Sequence, residues 1–221
     1  MEIRILYEDE EMMVAEKPSG MPSQADKTGD ADLLTVLQTQ TEFSLKPVHR
    51  LDRPVGGAIL LAKNADAAGR LSGFMQEGKL QKYYLAVLCG TLSDTEGVWE
   101  DFLWKNARTN LSEVVSKDKK GAKKAVLHYE VLGEKDGLFL VRIRLETGRH
   151  HQIRVQTAFH GAPVWGDRKY NKKILWERNQ TIALWSLGLT GRCGKGNKSL
   201  SVKAIPVQEP FSRFSEILEE L

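Results

Sequence analysis

Short apolar runs of strand length recur along this chain, and only some of them are separated by stretches with helical spacing. Successive parallel strands need a long crossover, usually a helix, so this order predicts an α+β fold with a mixed, largely antiparallel sheet rather than a doubly wound one. The patterning predicts a strand pair at 3–7 and 12–16 across the acidic turn 8–11, then a loop at 17–22 stiffened by proline and glycine. Leu33, Leu34 and Leu37 have helical spacing. Residues 57–62 read as a compact apolar strand, and Asn64 as the N-cap of a helix with Ala67, Leu71, Phe74 and Met75 inward and Gly78 as its stop. Further strands are expected at 82–90, 98–104, 125–132, 138–146, 182–189 and 200–204. A helix at 151–160 would bury Ile153, Val155, Ala158 and Phe159 and stop at Gly161. Residues 191–198 read as a hairpin loop, and Pro210 opens a terminal helix.

At 221 residues with 41% hydrophobic content, the chain can fill a core of its own, and residues 1–221 are expected to form a single domain. Lysine plus arginine exceed the acids by only three, so overall charge does not announce a partner. Its distribution is more informative. Residues 117–124 hold five lysines against one acid, and 167–173 interleave four basic residues with Tyr170. Both clusters suit phosphate contacts. Cys89 and Cys193 are far apart and in no metal-ligand spacing, which points to a reducing cytoplasm. No apolar run approaches the ~20 residues of a membrane span, and the N-terminus lacks the layout of a signal peptide.

Three segments carry the chemistry. In His49-Arg50-Leu51-Asp52-Arg53 one carboxylate stands between two arginines, just ahead of Gly56, Gly57 and an apolar run. A carboxylate beside fixed positive charge stays ionised, so Asp52 suits a nucleophile or base better than a proton donor. In Lys82-Tyr83-Tyr84 strand alternation sends the two rings to opposite faces, and either offers a flat surface for stacking. In the segment from Thr147 to Gln156 a glycine turn feeds a helix whose start carries Arg149, His150, His151, Gln152 and Arg154. Arg154 falls among inward positions, so a partner carboxylate is implied, with Asp52 the candidate. Adjacent histidines point to different sides of a helix and no acid stands at the right spacing, so no metal site is expected.

Taken together these segments resemble the RluA-type pseudouridine synthase family. The resemblance rests on His49-Arg50-Leu51-Asp52 before a glycine turn and a strand ending in Ala62-Lys63, and on Lys82-Tyr83-Tyr84-Leu85-Ala86. It is extended by the segment Thr147 to Val155 and by Gly161-Ala162-Pro163-Val164-Trp165-Gly166-Asp167-Arg168-Lys169-Tyr170. It covers most of the chain. Departures are Gly56 for a usual serine, His150 for a common threonine and Gln156 for a frequent histidine.

The resemblance implies the pseudouridine synthase fold and isomerisation of a uridine within structured RNA, either tRNA or rRNA. It assigns Asp52 as the catalytic carboxylate, Arg154 as the group that holds it charged and oriented, and Tyr84 as the ring stacked on the base. Arg50 would fill the space left by a flipped nucleotide. Arg149 and Gln152 are substrate contacts on the same segment, with the lysine clusters on the RNA backbone. Nothing is oxidised and no group is imported, so neither cofactor nor metal is expected. The chain opens directly on strands of the catalytic type, so no separate RNA-binding module is expected, and a monomer is the default. The alternative is an RNA-binding or RNA-folding factor with little turnover. A glycosidase reading lacks the second carboxylate that such enzymes use.

Overall fold

The computed structural model describes residues 1–171 and 181–221. Lys172 and Lys173 of the second basic cluster lie outside the described residues. In chain order the elements are β1 (Ile5–Glu8), β2 (Met12–Lys17), α1 (Leu33–Thr41), β3 (Lys46–Pro47), β4 (Gly56–Ala62), α2 (Ala65–Gln76) and β5 (Leu80–Cys89). There follow β6 (Glu96–Asn106), β7 (Leu111–Val114), β8 (Lys123–Lys135), β9 (Leu138–Leu145), α3 (Gln152–Phe159), β10 (Leu184–Cys193), β11 (Lys198–Lys203), a 3-10 turn (Phe211–Phe214) and α4 (Ser215–Glu219). They divide into two compact units, residues 1–83 with 185–206 and residues 84–184 with 207–221. Among the described residues no helix is long and apolar enough to cross a membrane.

In the first unit the strands lie in the order β1-β2-β4-β10, with β3 beside β4 and β11 beside β10. Pairing is antiparallel except between β4 and β10, which run parallel with Trp185 opposite Gly56. Every residue of β4 is buried, as expected of a continuous apolar strand covered on both faces. Its two glycines answer a steric demand. A Cβ on Gly57 would lie 2.2 Å from the Ser186 carbonyl oxygen, at a φ of +107°, and one on Gly56 would lie 2.3 Å from the Trp185 ring. The indole in that place leaves no room for a side chain at position 56. Asp32 and Asn64 cap α1 and α2 by accepting from the Thr35 and Ala67 amides. Gln40 on α1 ties down the chain start, donating to and accepting from the Ile3 backbone at 2.8 Å.

In the second unit β9-β8-β6-β7 form an antiparallel sheet. Leu103, Ala125 and Val155 pack together there, with Val114 and Tyr170 against them. A bulge between Val131 and Gly133 bends β8 where Ile217 of α4 comes so close that a Cβ on Gly133 would lie 2.4 Å from it.

Several elements differ from the sequence expectation. β3 and β7 are too short, and β7 too polar, for periodicity to reveal them. β10 continues through the glycine-rich stretch to Cys193, so only Gly194–Asn197 turn. Gly191 sits in the strand because a Cβ there would lie 2.0 Å from the Lys79 carbonyl oxygen. Close backbone approach and loop flexibility leave the same residue in the sequence. Along α3, Gln152, Arg154 and Gln156 are buried with Ile153 and Val155, while Phe159 is 60% exposed, opposite to its expected place. On α2, Phe74 and Met75 are half-buried rather than inward. The terminal helix begins as a 3-10 turn.

His49 joins the sheet as an acceptor. Its Nε2 receives the Leu60 amide at 3.1 Å and its Nδ1 is buried. Burial, reinforced by the Lys82 ammonium, pushes its pKa down to about 3, so the folded ring is neutral. Between pH 3 and the ordinary value of 6.5 the unfolded chain binds a proton that the folded chain does not. This stability is therefore complete above pH 6.5 and is lost on acidification. Urea midpoints between pH 4 and 7 should show His49→Gln flattening the acid slope by about 1 kcal/mol per pH unit relative to wild type. Gly57→Ala is expected to cost about 2–4 kcal/mol in the same assay at pH 7, because the Ser186 backbone cannot move aside.

Candidate active site

Asp52 lies half-buried in the loop between β3 and β4 of the first unit, and the loop is clamped on both sides of it. On one side the Ser23 hydroxyl donates to the Leu51 carbonyl at 2.8 Å and receives the Leu51 amide at 3.2 Å. On the other the Arg53 carbonyl accepts from the Gly20 amide at 2.9 Å and from the Lys17 ammonium at 3.1 Å. The Asp52 carbonyl accepts from the Val55 amide at 2.9 Å, which closes the turn.

Lys17 ends β2 on the face that also holds Met13 and Ala15, and it is fully buried. Its three ammonium donors are directed to the carbonyls of Pro18, Met21 and Arg53 at 2.9, 2.6 and 3.1 Å. Burial pushes its pKa down to about 7, with the Asp52 charge pulling it up and Arg53 opposing. The Arg53 side chain turns away to a separate loop, with Nε on the Gly20 carbonyl, Nη1 on the Thr28 hydroxyl, and ion pairs to Asp26 and Asp30. The cation coupled to Asp52 within this unit is thus Lys17, and Arg53 serves the loop. Arg50 is exposed on the same loop.

The second unit holds Tyr84, Arg149, Gln152 and Arg154. Tyr84 is buried, whereas Tyr83, in the first unit, is half-buried with its hydroxyl on Gln81. The turn before α3 is built around Gln152. Its Oε1 accepts from the Thr147 hydroxyl at 2.8 Å and the Arg149 amide at 3.0 Å, and its Nε2 donates to the Val126 carbonyl at 3.1 Å. The amide therefore shapes the turn that presents Arg149, whose Nε donates to the Lys124 carbonyl at 2.8 Å. Gln156 donates to the Asp101 carboxylate at 2.7 Å.

Arg154 is buried and forks onto Asp167, with Nε to Oδ2 and Nη2 to Oδ1 both at 2.7 Å. The carboxylate that the position of Arg154 demands is present in its own unit. The Tyr170 ring centroid lies 5.2 Å from the guanidinium carbon. The Tyr170 hydroxyl receives the Ser112 amide at 2.9 Å and bonds His151 Nδ1 at 2.7 Å. Burial, then the charges of Arg154, His150, Lys169 and Lys105, pushes the His151 pKa down to about 2. The ring is therefore neutral in the folded chain. The His150 and His151 rings stack at 3.8 Å, and the Ser112 hydroxyl holds the His150 carbonyl and Nδ1 at 2.8 and 2.9 Å. His151 adopts a left-handed backbone (φ 54°) at the start of α3, which lets both rings share one side.

Lys17, Ser23, Asp167 and Ser112 escaped the sequence reading. For Lys17 the available signal was strand parity, a lysine in step with Met13 and Ala15. For Asp167 it was the Gly-Asp-x-x-Tyr spacing. Lys117, Lys119, Lys120 and Lys123 are exposed, with Lys119 3.8 Å over the Trp104 ring. Lys105, Arg168 and Lys169 are exposed as well. Among the described residues no three His, Cys, Asp or Glu side chains converge as metal ligands would.

The model of the RNA pseudouridylate synthase family matches residues 11–159. An uncharacterized RNA pseudouridine synthase of Zymomonas mobilis is 38% identical over 172 residues, covering 76% of this chain and 78% of that protein. The mitochondrial tRNA pseudouridine(32) synthase of Saccharomyces cerevisiae is 32% identical over 181 residues, covering 80% of this chain but only 39% of its own length. Among solved structures, human RNA pseudouridylate synthase domain containing 4 superposes with a TM-score of 0.76 at 21% identity, covering 97% of this chain and 92% of that one. The extent of the family match, with the identity to the Zymomonas protein across most of both chains, shows that this chain belongs to the RNA pseudouridine synthase family.

Proposed function

We propose that the chain converts uridine to pseudouridine within structured RNA, a tRNA or an rRNA, and that both units work as one catalytic domain with Asp52 as its catalytic carboxylate. The observation that carries this reading is the family match over residues 11–159, which includes Asp52, Tyr84 and Arg154 in order. The clamped loop around Asp52 supports it. Isomerisation breaks the ribose C1′–N1 bond, turns the uracil, joins C1′ to C5, and releases the C5 proton while N1 takes one up. Electrons and atoms balance within the nucleotide, so the chemistry calls for no cofactor.

In this reading Asp52 acts at the ribose as nucleophile or base. Lys17 and Ser23 hold its loop from both sides, so the carboxylate is presented without searching for its position. Arg154, with Nε and Nη2 on Asp167, takes the role that the resemblance gives it, the group that orients Asp52. Tyr84 stacks on the uracil and assists loss of the C5 proton. Arg50 enters the space left by the extruded nucleotide, whose unstacking costs a few kcal/mol. Arg149, on the turn shaped by Gln152, contacts the RNA, and Lys117, Lys119, Lys120 and Lys169 hold its backbone. The enzyme acts as a monomer in the cytoplasm.

Total RNA from cells lacking the protein, incubated with it and mapped for pseudouridine, should gain at least one site, and Asp52→Ala should gain none. A new site made by Asp52→Ala at the wild-type rate, or RNA bound with no site formed by the wild type, overturns the reading. Lys120→Ala should weaken RNA binding, reduce the slope of log affinity against log salt by about 0.7–0.9, and leave turnover of bound RNA unchanged. Arg154→Lys keeps the charge but not the fork, and should lower the single-turnover rate by about 100-fold with a smaller effect on affinity.

A further inference from the structure

From the geometry around Arg154 we infer that Asp167 is a positioning residue for the isomerisation, fixing the plane of the Arg154 guanidinium and tempering its charge. The inference rests on the reading that Arg154 serves Asp52, and it assigns a role to a residue outside the reacting groups.

Three constraints meet on one guanidinium. In its plane, the two Asp167 oxygens take Nε and Nη2 at 2.7 Å each, with side-chain exposures of 5% for Arg154 and 0% for Asp167. Across its face lies Tyr170, whose hydroxyl is itself held by the Ser112 amide and His151. Behind the carboxylate, Asp167 Oδ1 also accepts the backbone amides of Lys169 at 2.9 Å and Tyr170 at 3.2 Å. The Asp167 carbonyl accepts the Asn171 amide at 2.8 Å, so the turn that carries the carboxylate is closed on itself. An arginine held in its plane by the fork and across its face by a ring keeps one orientation of its guanidinium.

Stability alone does not account for this arrangement. A buried ion pair must offset the desolvation of both partners, and packed apolar residues of the same volume often serve as well or better. What a bidentate pair adds is orientation. Charge is the second consequence. Asp167 neutralises much of the arginine charge locally, and its loss leaves a buried guanidinium that favours ionised carboxylates more strongly.

The test uses bulk RNA from cells lacking the protein, labelled with tritium at uridine C5, and follows tritium release under single turnover with saturating enzyme. Binding of the same RNA and the melting temperature are measured in parallel. Asp167→Asn should slow release by about 100-fold while the Kd for RNA changes less than about threefold. Its acid limb in the pH–rate profile should move to lower pH, a shift that a merely structural role does not produce. Asp167→Glu, which keeps the charge but displaces the fork, should be slowed without that shift. The double variant Arg154→Lys with Asp167→Asn should be no more than about threefold slower than Arg154→Lys alone, since both changes remove one device. Wild-type release by Asp167→Asn, or rate losses that multiply in the double variant, overturns the inference. Should Asp167→Asn fail to fold, Asp167→Glu decides, and release at the wild-type rate from that folded variant is equally fatal. Tritium release by Asp52→Ala would instead sink the proposed function, whereas an inactive Asp52→Ala beside an unimpaired Asp167→Asn removes only the present inference.

Discussion

A fully buried lysine, Lys17, governs the first unit. Its ammonium must find three acceptors, and the chain supplies carbonyls from two different loops, Pro18 and Met21 on one and Arg53 on the other. Satisfying one buried cation therefore holds residues 18–21 against residues 51–53, and Asp52 is the side chain between the clamps. The prolines at 18, 22 and 54 and the reciprocal bonds of Ser23 with Leu51 remove most of the remaining freedom. A carboxylate placed in this way has its entropy cost met during folding rather than at each turnover.

The second unit solves the same problem with different chemistry. Arg154 carries a planar cation, so a carboxylate with matching geometry, not a ring of carbonyls, receives it. Around that pair the aromatic and imidazole rings share a single hydrogen-bonded chain from Ser112 through Tyr170 to His151. The Ser112 amide gives its proton to the phenol oxygen, which is also bonded to the neutral His151 ring. Lys17 and Arg154 are both buried deeply enough to need partners, and they find them in backbone carbonyls and in a carboxylate.

Much of the scaffold was legible because it follows simple periodicities. β4 was visible as an apolar run after two glycines, α2 as a capped amphipathic stretch, and the Asp52 segment as an unusual concentration of charge. What escaped notice was satisfied at a distance. Asp167 lies thirteen residues from Arg154 in a turn with no periodicity, and the lysine that grips the Asp52 loop reads as the start of a stiff loop of proline and glycine. α3 misled for a related reason: its buried side is polar, because Gln152, Arg154 and Gln156 point into hydrogen-bonded sites, and apolarity is then a poor guide to which face is covered. Gly191 shows a limit of composition, since a residue that marks loops also permits a strand to pass close beside a neighbouring backbone.

The Lys119 ammonium resting on Trp104 gives the molecule an optical property of its own. The lysine sits in two successive turns, its amide on the Ser116 carbonyl and its own carbonyl receiving the Ala122 amide, with its ammonium 3.8 Å over the indole. An ammonium against an indole face perturbs the excited state, and a polyanion approaching this loop competes for the same charge. With the other four tryptophans replaced, Trp104 emission is expected to respond when a polyanion takes the Lys119 charge.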